Sequence, residues 1–290
     1  MWYSLYKRWL GLNYVLTKDA RKLAKDRYKQ FKEMLNILAP YIGEVKRKTI
    51  LDVGCGELYP FTLLLHNMRN TVTGIDTVYV DVDSPVYKRY WTTIRMDGYK
   101  RFVESFLLEI LFKKRAFYEQ LQNLCDFPLT TNSIDIRHMS VEEMDFSEKT
   151  FDIVISNAVF EHIRNVPQAL SEINRVLKPG GIAYAYIHLF TSLSGGHHPN
   201  WQDFNKVPPW DHLRQKKFPL NDCLNRLREH EYISLFQHNF EIIQIKYIEE
   251  KEPKDLLYPE IRAELGDYSE EELLKRGIMI VAQKSREKSS

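Results

Sequence analysis

The sequence predicts an α/β fold of the doubly wound kind, and three observations carry that expectation. Thr49-Ile50-Leu51-Asp52-Val53 is a short apolar run that breaks into Gly54-Cys55-Gly56. A second apolar run, Phe151-Asp152-Ile153-Val154-Ile155-Ser156, leads into a helical pattern. Pro179-Gly180-Gly181 then ends that helix and admits a third apolar run. A buried strand, a glycine turn and a helix, repeated along a chain, build a sheet covered by helices.

The elements follow in order. In residues 1–42, Trp2, Tyr6, Trp9 and Leu10 share one helical face. Ala24, Tyr28, Phe31, Leu35 and Leu38 continue the pattern, and Pro40 and Gly43 close it. Strands are expected at 49–53 and 71–75, with a short helix at 61–66 between them. Residues 77–130 are longer than the single helix a minimal fold needs here. Phe102, Phe106 and Ile110 recur every fourth residue, as do Val103, Leu107 and Leu111, which reads as an inserted amphipathic helical cap. Strands three and four are expected at 134–139 and 151–156, and Pro167 suits the first turn of the helix after them. Leu170, Ile173, Val176 and Leu177 face the sheet, and strand five spans 182–188. A loop rich in Gly, His, Pro and Trp covers about 189–215. Strand six is expected at 240–247. Ser269 to Glu272 reads as a capping box for a short helix ended by Gly277, and strand seven is expected at 278–283. This divides the chain into an N-terminal helical cap (1–48), a main domain (49–284) and a frayed polar tail (285–290).

Bulk properties bound the function. With 290 residues, 44% of them hydrophobic, the chain can bury one large α/β core with additions. A net charge of +2 argues against a general electrostatic partner such as nucleic acid or anionic membrane. No run reaches the roughly 18 apolar residues of a membrane-spanning helix. Lys7 and Arg8 interrupt the stretch where a signal peptide would be apolar. The aromatic N-terminal helix could cap the ligand pocket or make peripheral contact with a membrane interface, beside the plain reading of packing against the domain. Cys55, Cys125 and Cys223 are too scattered for a disulfide framework or a zinc motif, which fits a reducing cytoplasm.

Open α/β sheets bind ligands beyond the carboxyl ends of their strands. Gly54 and Gly56 stand there after the first strand, where glycine lets a ligand approach the main chain. Asp76 ends the second strand, where a carboxylate can accept hydrogen bonds from both hydroxyls of a ribose. A dinucleotide turn needs a further glycine where this chain has Tyr59, which argues against NAD or FAD.

With these residues in view, the chain resembles the type 11 class I S-adenosylmethionine (SAM) methyltransferases. Ile50-Leu51-Asp52-Val53-Gly54-Cys55-Gly56 is similar to their first motif, and Gly74-Ile75-Asp76 to their second. Residues 139–146, 151–163 and 170–181 occupy the later ones, so the likeness runs from about 49 to 187. It implies a seven-stranded doubly wound sheet, mostly parallel with an antiparallel last strand. It also implies that Asp52, Gly54, Cys55 and Gly56 contact the methionine part of SAM, and that Asp76 holds the ribose. Ser140 and Val141 would border the adenine. Asn157 and Ala158 would line the pocket beside the sulfonium, with His162 close behind. Leu58 stands where the family often has a third glycine, and Ser140 where it often has an acidic residue.

Methyl transfer to oxygen or nitrogen also calls for a proton acceptor, and His188, His198 and His212 are the candidates, at the end of strand five and in the loop after it. His197 and His198 with His212 match no standard metal spacing, so no metal is expected. The His, Trp and Asp content of that loop, Trp201, Trp210 and Asp211 included, suits hydrogen bonding and stacking on a sugar. The expected function is SAM-dependent methyl transfer to a small or medium-sized acceptor such as a sugar or glycan precursor. The alternative is a non-catalytic protein of the same fold that binds a partner.

Overall fold

The computed structural model describes residues 20–77, 114–198, 200–214, 224–249 and 252–286. The predicted helix before residue 20, residues 78–113 of the insertion, Cys223 and the last four residues of the tail lie outside them. The chain forms two compact units, residues 1–140 and 141–290.

The first unit holds α1 (Ala20–Ile42), β1 (Thr49–Val53), α2 (Pro60–Asn67), β2 (Thr71–Asp76), α3 (Lys114–Gln122) and β3 (Asp135–His138). Its three strands pair in parallel with β2 between β1 and β3. Four of the five residues of β1 and four of the six of β2 are buried, which is why both read as apolar runs. Along α1, Leu23, Ala24, Phe31, Met34, Ile37 and Leu38 are buried. The buried face therefore includes Met34 and Ile37, while Leu35 is half-buried. Phe31 meets Phe61 of α2 at 5.7 Å between ring centres. From the predicted insertion, α3 packs against α1 with Phe117 and Leu121 buried.

The second unit holds β4 (Phe151–Asn157), α4 (Val166–Val176), β5 (Leu177–His188), α5 (Glu229–Asn239), β6 (Glu241–Glu249), α6 (Pro259–Glu264), α7 (Glu270–Leu274) and β7 (Lys275–Gln283). Its strand order is β4-β5-β7-β6. β4 and β5 are parallel, while β7 runs antiparallel to both of its neighbours. The seven strands and their mostly parallel pairing match the expected fold class. Among the described residues no helix is long and apolar enough to cross a membrane.

Three local expectations are corrected. Pro179-Gly180-Gly181 lies inside β5, where the register against β4 shifts between Phe151 and Ile153. Gly180 takes φ +76° there, so the glycines absorb a bulge within the strand. Gly277 does not end a helix. α7 stops at Leu274, and Gly277 lies in β7 opposite His188. A Cβ there would stand 2.6 Å from the Tyr186 ring and 2.7 Å from the Ile187 carbonyl, so close approach selects glycine. The capping box at Ser269 is half formed. Its hydroxyl accepts from the Glu272 N–H at 3.1 Å, but the Glu272 carboxylate pairs with the Arg228 guanidinium at 2.5 and 2.7 Å, a stronger partner than a backbone amide.

Candidate functional site

In the first unit the chain leaves β1 through Gly54 (φ +71°) and Gly56 (φ +69°). The Gly54 and Cys55 N–H groups both donate to the Ile75 carbonyl, at 2.8 and 3.1 Å, which ties the turn to β2. The Gly56 N–H donates to the Asp76 carboxylate at 2.9 Å. That bond aims Asp76 across the turn. Nothing lies within 4 Å of where a Cβ of Gly56 would stand, so a ligand edge has room against the main chain. Gly74 serves packing instead: a Cβ there would meet Ile136 and Thr62 at 2.8 Å and the Cys55 sulfur at 3.0 Å. Tyr59, at φ +29°, caps α2 without a side-chain hydrogen bond, and its ring lies 6.0 Å from that of Tyr118.

Asp52 is 3% exposed and accepts a 2.6 Å hydrogen bond from the Thr62 hydroxyl. Burial pushes its carboxyl up to about 6, the Thr62 hydroxyl pulls it partly back, and the charge of Asp76 adds to the rise. A folded-state value above the unfolded one means stability that is present below pH 4 and lost as pH rises through about 6. The gap is worth about 3 kcal/mol. Without ligand, Asp52→Asn should therefore match the wild type near pH 4 and exceed it by about 2–3 kcal/mol at pH 7.5. Urea unfolding at both values checks this; a difference that does not change with pH would refute it.

In the second unit β4 ends at Asn157. Ala158 follows at φ +58°, its N–H held by the Tyr186 carbonyl at 2.8 Å. A 3-10 turn, Phe160–His162, comes next. Its middle residue, Glu161, is 3% exposed, and neither carboxylate oxygen has a hydrogen-bond partner among the described residues. Burial pushes its carboxyl up to about 8. The backbone N–H groups of Glu161 and His188 counter part of this electrostatically, without reaching hydrogen-bond geometry.

His188 ends β5 and meets three neighbours. One ring nitrogen, Nε2, lies 2.8 Å from the Ser194 hydroxyl and 3.3 Å from that of Ser192. The other, Nδ1, lies 2.9 Å from Nε2 of His197. The two rings stack at 4.8 Å, and the edge of His162 meets His197 at 5.0 Å. His197 holds φ +53°, a conformation that costs a non-glycine residue about 1–2 kcal/mol. Burial drives the imidazolium forms of His188 and His197 down, to about 3 and 4, and the neighbouring histidines add to it. Both rings are neutral at pH 7.

The other two predicted base candidates are spent locally. His212 sets Nε2 2.8 Å from the Phe190 carbonyl, which can only accept, and its ring packs edge-on to Phe190. His198 accepts the Asn200 N–H at 3.1 Å in a turn. Trp210 is 1% exposed, in an apolar cluster with Leu193, Ile261, Leu265 and Leu273, so it offers no face for stacking; Trp201 packs against the same cluster but stays partly exposed. The sequence reading missed Glu161 and the His188–His197 pair. The signal for Glu161 was an acid set between Phe160 and Ile163, both buried. Among the predicted cofactor residues, Asp52, Gly54, Cys55, Gly56, Asp76 and Ser140 fall in the first unit. Val141, Asn157, Ala158 and His162 fall in the second.

A family model described as a methyltransferase domain matches residues 89–185. An uncharacterized methyltransferase of Mycobacterium tuberculosis (strain H37Rv) is 26% identical over 187 residues, covering 62% of this chain and 74% of the relative. An uncharacterized methyltransferase of Schizosaccharomyces pombe is 29% identical over 143 residues, 49% of this chain and 41% of its own. Among solved structures, the YcgJ protein of Bacillus subtilis is similar with a TM-score of 0.48 at 15% identity, over 90% of this chain and 99% of that one.

Proposed function

We propose that this chain, which belongs to the class I SAM-dependent methyltransferases, methylates a hydroxyl of a small or medium-sized polar acceptor, a sugar or glycan precursor in first place. The cofactor is SAM. The sugar rests on the polar loop after β5, where Trp201 stays partly exposed, and the observation that carries the cofactor reading is the Gly56–Asp76 hydrogen bond. It holds a carboxylate at the carboxyl end of β2 beside a turn with open space above Gly56. An arrangement of this kind suits a ribose, and it has no phosphate-binding glycine at Tyr59.

When bound, SAM supplies a methyl carbon already activated by the sulfonium. The methyl would pass from sulfur to an acceptor oxygen, with S-adenosylhomocysteine as the product. The protein's share is to position the reactants, exclude water and receive the hydroxyl proton. Asp52 and the 54–56 turn would hold the methionine part. The assignments of Ser140 and Val141 to the adenine, and of Asn157, Ala158 and His162 to the sulfonium side, rest on the resemblance. Of the predicted base candidates, His198 and His212 are engaged elsewhere, which leaves His188, with His197 and Glu161 beside it, to meet the acceptor. The reading of a reducing cytoplasm rests on the scattered cysteines, with Cys55 and Cys125 as free thiols.

Calorimetric titration with S-adenosylhomocysteine, with NADH as control, tests the cradle. Binding at micromolar affinity or tighter, without NADH binding, is expected. No binding by folded protein would overturn the reading. Labelled SAM offered with nucleotide sugars, glycan precursors, quinones and RNA then tests the acceptor, and label appearing only in RNA or quinone would remove the sugar.

A further inference from the structure

We infer that Glu161, His188 and His197 form a binding site for one divalent transition-metal ion of the zinc class. One ligand atom from each of the three lies within 4.8 Å of the other two. The imidazole nitrogens approach to 2.9 Å. Ligands held about 2.0–2.2 Å from one ion stand about 3–3.5 Å apart, so the two imidazole nitrogens need to part by only a few tenths of an ångström and the Glu161 side chain to turn toward them. Two imidazoles and a carboxylate suit zinc and its first-row neighbours, whereas magnesium prefers an all-oxygen shell.

Glu161 is the independent observation. It is 3% exposed, and neither carboxylate oxygen has a hydrogen-bond partner among the described residues. A buried carboxylate without partners is costly. A proton would remove its charge but leave an O–H equally without an acceptor. A cation shared with two neutral imidazoles satisfies the carboxylate and both rings at once.

The surroundings of His188 fit. The Ser194 hydroxyl at 2.8 Å from Nε2 can hold the proton on that nitrogen, which turns the lone pair of Nδ1 toward His197. Supporting contacts of this kind orient metal-bound histidines. The site deepens the proposed role of this cluster in handling the acceptor, since an ion with three protein ligands keeps a position for an oxygen. Its test uses neither SAM nor acceptor, so either reading can fail alone.

The experiment titrates tag-free, full-length, chelator-treated protein with zinc against a chromophoric competitor, with magnesium in parallel. One equivalent of zinc should bind and raise the melting temperature, and magnesium should do neither. Glu161→Gln and His197→Ala should each weaken zinc by about 100-fold or more, beyond the roughly 10–100-fold that loss of a supporting partner costs. His230→Ala and His238→Ala, at exposed positions on α5, should bind as the wild type does. Cobalt, added in place of zinc, should give visible ligand-field bands that disappear in His197→Ala. Folded protein that takes up no zinc overturns the site. So does uptake that survives both His197→Ala and Glu161→Gln, or that falls as far in the α5 controls. If Glu161→Gln does not fold, His197→Ala and the cobalt spectrum decide alone.

Discussion

Asp76→Ala should weaken S-adenosylhomocysteine by about 100- to 1,000-fold while leaving the fold intact. A carboxylate that accepts from two ribose hydroxyls makes two charge-assisted hydrogen bonds, each worth about 1.5–3 kcal/mol. Losing both, at the lower end of that range, costs roughly 3–4 kcal/mol, at 1.4 kcal/mol per tenfold. The side chain is half-buried at the end of β2, so truncation opens no core cavity. It also releases the Gly56 N–H from its 2.9 Å partner and loosens the turn proposed to hold the cofactor. Asp76→Asn keeps an oxygen for Gly56 but loses the charge, so it should fall between wild type and alanine. Calorimetry on both variants checks the order, and wild-type affinity in a folded Asp76→Ala protein would refute the ribose contact.

Gly195→Ala should be among the most destabilising single-methyl additions in the second unit. A Cβ there would stand 2.2 Å from the Phe190 carbonyl oxygen, 2.5 Å from that of Leu189 and 2.5 Å from the Phe190 carbonyl carbon. All three are main-chain atoms, so no side-chain rotation relieves the contact. Overpacking of this kind costs about 3 kcal/mol, and the melting temperature should fall by roughly 6–12 °C. Gly266→Ala is the control: its Cβ would meet only the Ala263 carbonyl, at 3.7 Å, and its effect should stay within about 0.5 kcal/mol. Equal melting temperatures for the two variants would show that the 189–196 turn yields more easily than its geometry implies. The Gly195 N–H donates to the Ser192 carbonyl and the His197 N–H to that of Ser194, so the same substitution should also disturb the placing of His197.

The parts of the fold legible in the sequence are those whose burial is local and periodic. β1, β2 and β4 are buried along most of their length, and a continuous apolar run records that without reference to anything distant. α5 escaped notice because only Tyr232 and Phe236 are buried along it, too few to mark a face. α6 escaped for the same reason, with Ile261 alone. The second omission carried a cost, because Trp210 packs with Ile261 of α6 and Leu273 of α7, and without α6 it read as an exposed stacking surface. Gly277 was misread because a glycine that ends a helix and one that admits a neighbouring ring look alike in sequence. The atoms that decide it belong to Tyr186 and Ile187, far away in the chain. The turn after β1 was legible as a turn because glycine at a strand end marks a backbone that takes positive φ, as Gly54 and Gly56 do. The Glu161–His188–His197 cluster was not, because it forms only when the chain after β5 folds back through Gly195 and Gly196 and brings His197 onto His188.

The place of β7 bears on how the protein is made. β5 pairs with β7 along its length from Ile182 to His188, and β6 pairs with the other edge of β7. β7 is translated after β5 and β6, so neither has this partner in the interval before β7 is made. For most of that time an apolar strand ending in His188 exposes an unpaired edge, the kind of surface that nascent chains stick by and that chaperones cover. The pairing of the second unit is therefore completed out of chain order, by a strand inserted between two made before it.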